Sequence, residues 1–163
     1  MIGHKDYKSY IKEVSNFPKQ GVSFKDISPL ISSHLFPDVI IDMGKLVEEP
    51  DYWVGIDARG FIFAGALAQE FGNGLIICRK TGKLPPPVES YSYELEYGSD
   101  ILEMKPGNGK VVIVDDVYAT GGTMDAAEKL CQQAGYAVID KLCLIDLLYL
   151  HNDIKCKSLV QYA

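Results

Sequence analysis

Long apolar runs are missing from this sequence, and nothing in it approaches the ~20 consecutive apolar residues that a membrane-spanning helix needs. The four cysteines, Cys78, Cys131, Cys143 and Cys156, lie far apart and form no CxxC pair, so the spacing of a zinc site is absent and reduced core thiols are expected. Positive charge is scarce. Sixteen Lys and Arg stand against 22 Asp and Glu, a formal net charge of −6 that argues against nucleic acid as a partner. Internal repeats, low-complexity tracts and Gly/Ser-rich linkers are also absent. His4, His34 and His151 are the three histidines, and they fall outside every motif found below. Met1–Tyr10 is polar and lacks the apolar stretch of a secretory signal, so no membrane association and a cytoplasmic location are expected.

What remains is an ordinary globular composition, 47% hydrophobic and 23% charged over 163 residues. That length suits one domain, residues 1–163, and folding can bury roughly 70% of the unfolded chain's surface. Tyr7–Val14 carries Tyr7, Tyr10, Ile11 and Val14 at helical spacing, and the Pro and Gly of Asn16–Gly21 then oppose helix. Val22–Ser33 reads as loop or short strand and Leu35–Val47 as an amphipathic helix. Short apolar runs at Tyr52–Ile56, Gly74–Cys78, Val111–Val114 and Ala137–Ile145 alternate with helical stretches at Phe61–Phe71 and Thr120–Gly135. Such a pattern predicts an α/β fold with an open, mostly parallel sheet flanked by helices. Residues 80–110 break it with Gly82, Pro85-Pro86-Pro87 and Gly98, and an insertion of that length suggests a functional, mobile loop.

Open parallel sheets bind ligands beyond the carboxyl ends of their strands. After Val111–Val114 come Asp115 and Asp116, then Val117-Tyr118-Ala119-Thr120-Gly121-Gly122-Thr123 opening a helix. Two glycines let backbone N–H groups converge on a ligand, two threonines add hydroxyls, and the helix start favours an anion. The carboxylate pair accepts hydrogen bonds from vicinal sugar hydroxyls or holds a metal through water. Together they match a ribose phosphate. A phosphoacceptor receiver domain also ends a Val-rich strand in acids, but far more chain would follow than the 47 residues after Asp116.

Val111–Thr123 resembles the phosphoribosyl pyrophosphate motif of the type I phosphoribosyltransferases. Further resemblance to the adenine-using members of that family runs over nearly the whole chain. Phe17-Pro18-Lys19, Gly21 and Phe24-Lys25-Asp26-Ile27 resemble their N-terminal purine-binding segment, about residues 1–33. Gly55–Phe61 resembles their pyrophosphate loop, Arg79-Lys80 with Gly82–Pro85 the start of their mobile loop, and Leu95–Gly98 its end. The resemblance implies a type I phosphoribosyltransferase fold with an N-terminal hood segment. It also implies transfer of ribose 5-phosphate from phosphoribosyl pyrophosphate to adenine, giving AMP and pyrophosphate, with Mg2+ carried by the substrate and no direct metal ligand. Asp115 and Asp116 would hold the ribose hydroxyls, and Ala119, Thr120, Gly121, Gly122 and Thr123 would cradle the 5-phosphate. Arg59, with Arg79, Lys80 and Lys83, would bind pyrophosphate. Glu96 would act as acid/base, with Tyr97 of the loop shielding the site. Phe24, Lys25 and Leu144 would contact the purine, and a homodimer is implied. Lys25 stands where those enzymes carry Arg, and the segment from Gly98 to Val111 is several residues shorter than theirs. Other bases (hypoxanthine, guanine, xanthine, orotate) and a non-catalytic regulator that binds phosphoribosyl pyrophosphate share the ribose-phosphate motif, so both readings stay open.

Overall fold

The computed structural model describes residues 5–95, 98–153 and 155–163. The chain divides into two compact units, residues 1–39 and 40–163.

In the N-terminal unit, a 3-10 turn at Lys8–Tyr10 is followed by the antiparallel strands β1 (Lys12–Ser15) and β2 (Ser23–Asp26) and a one-turn helix α1 (Ser28–Ile31). The helix expected over Tyr7–Val14 is therefore replaced by a turn and a strand. Tyr7 and Ile11, four residues apart, are both buried as helical spacing suggested, but pairing of Lys12–Ser15 with Ser23–Asp26 outweighs the local preference. Asn16 and Gly21, both at positive φ, close the hairpin, and the Gly21 N–H donates to Asn16 Oδ1 at 2.9 Å.

Helix α2 (Phe36–Gly44) spans the boundary between the units. The C-terminal unit then runs β3 (Tyr52–Ile56), α3 (Gly60–Phe71), β4 (Gly74–Lys80), β5 (Glu89–Leu95), β6 (Gly98–Met104), β7 (Gly109–Tyr118), α4 (Gly122–Ala134), β8 (Tyr136–Leu147) and β9 (Lys157–Tyr162). Its sheet, among the described residues, has the order β5-β6-β4-β3-β7-β8-β9. Strands β4, β3, β7, β8 and β9 are parallel, and the β5–β6 hairpin extends the sheet antiparallel at the β4 edge. The expected mostly parallel sheet is present. The stretch 80–110 is not one long loop, because 89–95 and 98–104 pair in register. Tyr91 and Tyr93 pack on the core while Ser92 and Glu94 face outward, the alternation of a half-buried strand. Strand β9 was not anticipated from the sequence.

Val111, Val112, Ile113 and Val114 are fully buried in the middle of the sheet, and Trp53, Val54 and Ile56 lie alongside on β3. Trp53 is itself pinned. Its Nε1–H donates to Asn73 Oδ1 at 2.6 Å, while Asn73 Nδ2 donates to the Pro50 carbonyl at 2.9 Å. Asn73→Ala leaves the buried indole N–H unpaired and is expected to lower stability by about 1–3 kcal/mol. A matching fall in the urea midpoint, with an unchanged slope, checks this.

The connection after β3 leads through α3 to β4 on one side, and the connection after β7 leads through α4 to β8 on the other. The adjacent strands β3 and β7 therefore form a topological switch point, where the loops at their carboxyl ends part and leave a crevice.

Candidate active site

At that switch point the register pairs Gly55 with Val114, so Asp57-Ala58-Arg59 and Asp115-Asp116 emerge side by side. The start of α3 comes very close to β7. A Cβ on Gly60 would lie 2.8 Å from the Val114 carbonyl oxygen, so glycine is what admits the approach. Arg59 is thereby brought over the acid pair, with its Nε 2.8 Å from Asp116 Oδ2. That oxygen is buried and charge-paired, but the alignment is not that of a hydrogen bond. Asp115 Oδ1 accepts the Asp116 N–H at 2.9 Å. Burial, and then the neighbouring Asp116, push the Asp115 carboxyl well above the usual carboxylate range, while Arg59 opposes them.

The acid pair belongs to the strand itself, which continues to Tyr118 rather than stopping at Val114. Beyond it, Gly121 (φ 92) caps α4. The Asp125 N–H donates to the Gly121 carbonyl at 2.9 Å, so the N–H groups of Gly122, Thr123 and Met124 have no intrahelical acceptor. They border a cavity of about 90 Å³ lined by Asp115 and by Val117 to Met124. A second cavity of about 180 Å³ is lined by Asp57, Ala58, Arg59, Lys80, Tyr93, Asp115, Asp116 and Thr123, among others. Asp115 and Thr123 border both. One cavity offers N–H donors and hydroxyls, the other cations and carboxylates. That division suits a phosphate at one end and a diphosphate at the other.

Arg79, Lys80 and Lys83 are held by acids, Asp57 and Asp100. Asp57, almost buried, has the Arg79 Nε at 3.4 Å, the Lys80 N–H at 3.3 Å and the Lys83 Nζ at 3.7 Å around its Oδ2. Arg79 also lies over the Phe61 ring, 5.9 Å from its centroid. The Lys80 ammonium is bound by Asp100, and that hydrogen bond raises its pKa. Buried Glu103 accepts from Thr81 Oγ1 at 2.7 Å and from the Gly82 N–H at 3.2 Å, tying down the start of the segment. Asp57 sits inside the Gly55–Phe61 motif, a signal that was available. Glu103 had none, because only the pairing of β6 with β4 brings it to Thr81.

Glu96 and Tyr97 lie outside the described residues, as does His4. In the N-terminal unit, Lys25 is buried with its Nζ 3.1 Å from Glu13 Oε1, directly across the β1–β2 ladder. A hydrogen bond from Ser23, and then Lys25, hold the Glu13 carboxyl below the usual range. Phe24 meets Phe17 edge to face, with centroids 5.1 Å apart. Leu144 is fully buried in β8 and lines neither cavity, so its position is that of a core residue. The four cysteines are free and buried, as expected, and burial pushes the Cys131 thiol up to about 12. His151 was given no role from the sequence, yet its Nε2 sits against Asp146 in the core.

Residues 39–153 match the family model of the phosphoribosyl transferase domain. The adenine phosphoribosyltransferase of Bdellovibrio bacteriovorus is 47% identical over 96% of this chain and 99% of its own. That of Hydrogenovibrio crunogenus is 46% identical over 94% of each. The crystal structure of adenine phosphoribosyltransferase from Thermoanaerobacter pseudethanolicus superposes with a TM-score of 0.87 at 39% identity, covering 96% of this chain and 98% of that one. With this sheet and a likeness that runs from end to end, the chain belongs to the phosphoribosyltransferase family, among the adenine phosphoribosyltransferases.

Proposed function

We propose that this chain transfers the ribose 5-phosphate of phosphoribosyl pyrophosphate to adenine, releasing AMP and pyrophosphate in purine salvage. The observation that carries the reading is the juxtaposition, at one switch point, of Arg59 and the Asp115–Asp116 pair with the free N–H groups at the start of α4. In this reading Ala119–Thr123 bind the 5-phosphate, Asp115 and Asp116 accept the ribose hydroxyls, and Arg59 with Arg79, Lys80 and Lys83 faces the pyrophosphate. Phe24 and Lys25 serve the purine, with Leu144 giving way to the core.

A ring nitrogen of the base attacks the anomeric carbon as the bond to pyrophosphate breaks, and positive charge builds on the sugar. Catalysis is then mainly electrostatic: the guanidinium fork of Arg59 stabilises charge gathering on the leaving group, and the carboxylates face the cationic sugar. Glu96 takes the proton that the purine's imidazole ring loses. The hairpin segment 80–110 acts as the loop that excludes water, with Tyr97 in it. Asp115 and Asp116 would hold, through water and not as direct ligands, a Mg2+ that arrives bound to the diphosphate. When bound, that ion neutralises the leaving group.

A homodimer accords with the exposed Ile62 on α3 and Leu75 on β4, 41% and 42% accessible, on neighbouring elements. A cytoplasmic setting accords with four free thiols and with the finding that no helix among the described residues is long and apolar enough to cross a membrane.

The test is pyrophosphate release with Mg2+ and phosphoribosyl pyrophosphate, with adenine, hypoxanthine, guanine, xanthine and orotate compared side by side. Adenine alone is expected to turn over. Preference for another base would discard adenine but keep the ribose-phosphate site, and donor binding without any turnover would make the chain a regulator. Glu96→Gln is expected to lower kcat by about 10²-fold or more while the Kd for phosphoribosyl pyrophosphate stays within about twofold.

A further inference from the structure

Behind the phosphate cavity, three polar side chains are stacked in the core with no part in the mechanism above. Asp146, next to last in β8, lies directly opposite Tyr118 on β7, and at 1% exposure its carboxylate needs a partner. The 3-10 turn Leu148–Leu150 brings the chain back so that His151 supplies one, its Nε2 lying 2.5 Å from Asp146 Oδ1. The other ring nitrogen, Nδ1, is buried and has no hydrogen-bond partner among the described residues, so Asp146 is the polar group there that orients the imidazole. That imidazole meets the Tyr118 ring edge to face, with centroids 4.9 Å apart and planes at 84°. Tyr118 is 3% exposed, and its hydroxyl end lies against the phosphate loop. A Cβ on Gly121 would come within 2.4 Å of Tyr118 Oη and 2.9 Å of its Cζ. Tyr118 also lines the cavity that Ala119–Thr123 enclose.

We propose that Tyr118, held in place by the Asp146–His151 pair, is a positioning residue that supports the phosphate loop from beneath and fixes Gly121 so that the N–H groups at the start of α4 converge on the 5-phosphate. The inference rests on the phosphate-binding reading of that loop. A loop with glycines at 121 and 122 is conformationally free by itself, and binding weakens when the loop must be ordered by its ligand. A rigid aromatic floor supplies the order beforehand. Burial, and then Asp125, push the phenol up to about 12, so it keeps its proton beside the anion.

The test compares binding of AMP with binding of adenine by titration calorimetry on the whole chain, after a cooperative thermal transition has established that each variant is folded. Tyr118→Leu, which removes the floor, is expected to weaken AMP by about 10-fold or more and Tyr118→Phe by about 3-fold, with adenine within about twofold in both. His151→Ala is expected to weaken AMP by about 5-fold, and His151→Gln, whose amide N–H still reaches Asp146, to restore most of it. Equal losses for AMP and adenine, or unchanged AMP binding in Tyr118→Leu, would overturn the proposal; should Tyr118→Leu not fold, Tyr118→Phe and the His151 pair decide in the same way. Thr123→Val separates this inference from its premise. If that variant loses AMP while the Tyr118 and His151 variants do not, only the positioning role fails. If Thr123→Val also leaves AMP binding unchanged, the phosphate-loop reading fails and takes the proposal with it.

Discussion

Arg59→Ala is expected to lower kcat/KM by about 10²- to 10³-fold, the size of effect found when one preorganised donor to developing charge is removed. Two losses combine. The guanidinium proposed to face the leaving pyrophosphate disappears, and Asp116 is left as a buried carboxylate without the cation 2.8 Å from its Oδ2. Arg59→Lys should recover less than a tenth of the lost activity, because an ammonium restores charge but not the planar fork that spans two oxygens. The two losses are separable. In Arg59→Ala/Asp116→Asn no unpaired buried charge remains, so stability should return towards the starting value while kcat/KM stays low. Steady-state kinetics with thermal melts on the three variants checks this. Activity within about fivefold of the unaltered chain in Arg59→Ala would remove Arg59 from the pyrophosphate site.

The second large effect is expected at the proposed 5-phosphate loop. Gly121 has φ 92, a region costly for any residue with a Cβ, and that Cβ would meet the tip of Tyr118 at 2.4 Å. Gly121→Ala should cost about 1–3 kcal/mol of stability. Its larger consequence is for binding. The loop has to shift away from β7, the donors of Gly122, Thr123 and Met124 no longer converge, and AMP binding should weaken by about 10²-fold. Pairing Gly121→Ala with Tyr118→Leu relieves the clash but not the backbone strain, so only part of the stability should return. Calorimetric AMP titration and a urea melt on both variants measure the two parts.

The contrast between these two sites shows what kind of information each needed. The proposed phosphate loop is contiguous. Asp115 to Thr123 lie within one strand-turn-helix stretch, and each residue's chemistry follows from local backbone behaviour, which sequence expresses directly. Arg59 is 56 or more residues away and became part of the same site only because β3 and β7 are neighbours in the sheet. The Gly55–Phe61 motif marked it by resemblance, but nothing local to Arg59 indicates Asp116 as its partner.

Local signals also failed in both directions. Tyr7–Val14 carries helical spacing, yet its last residues form a strand because Ser23–Asp26 is available to pair with them. The segment after Lys80 reads as polar and Pro-rich, yet Tyr91 and Tyr93 find apolar partners once α4 packs nearby, and the alternation becomes a hairpin strand. The Lys25–Glu13 pair likewise lies across a ladder that a helix over Tyr7–Val14 would not have formed. Leu144 sits in the core for a related reason: β8 runs to Leu147, so its buried stretch extends past the point where a pocket residue was sought.

By itself, then, the sequence determined the alternating α/β order, the parallel sheet, the strand-turn-helix stretch Asp115–Thr123 with its acid pair, and the family that these imply. All depend on residues close together along the chain, where backbone preference and hydrophobic period act. The tertiary structure alone decided the strand order that creates the switch point, the pairing of Arg59 with Asp116, and the gathering of Arg79, Lys80 and Lys83 around Asp57. It alone also decided the stack of Asp146, His151 and Tyr118 beneath Gly121. Those depend on which distant segments become neighbours, and that is fixed by packing the whole core rather than by any stretch within it.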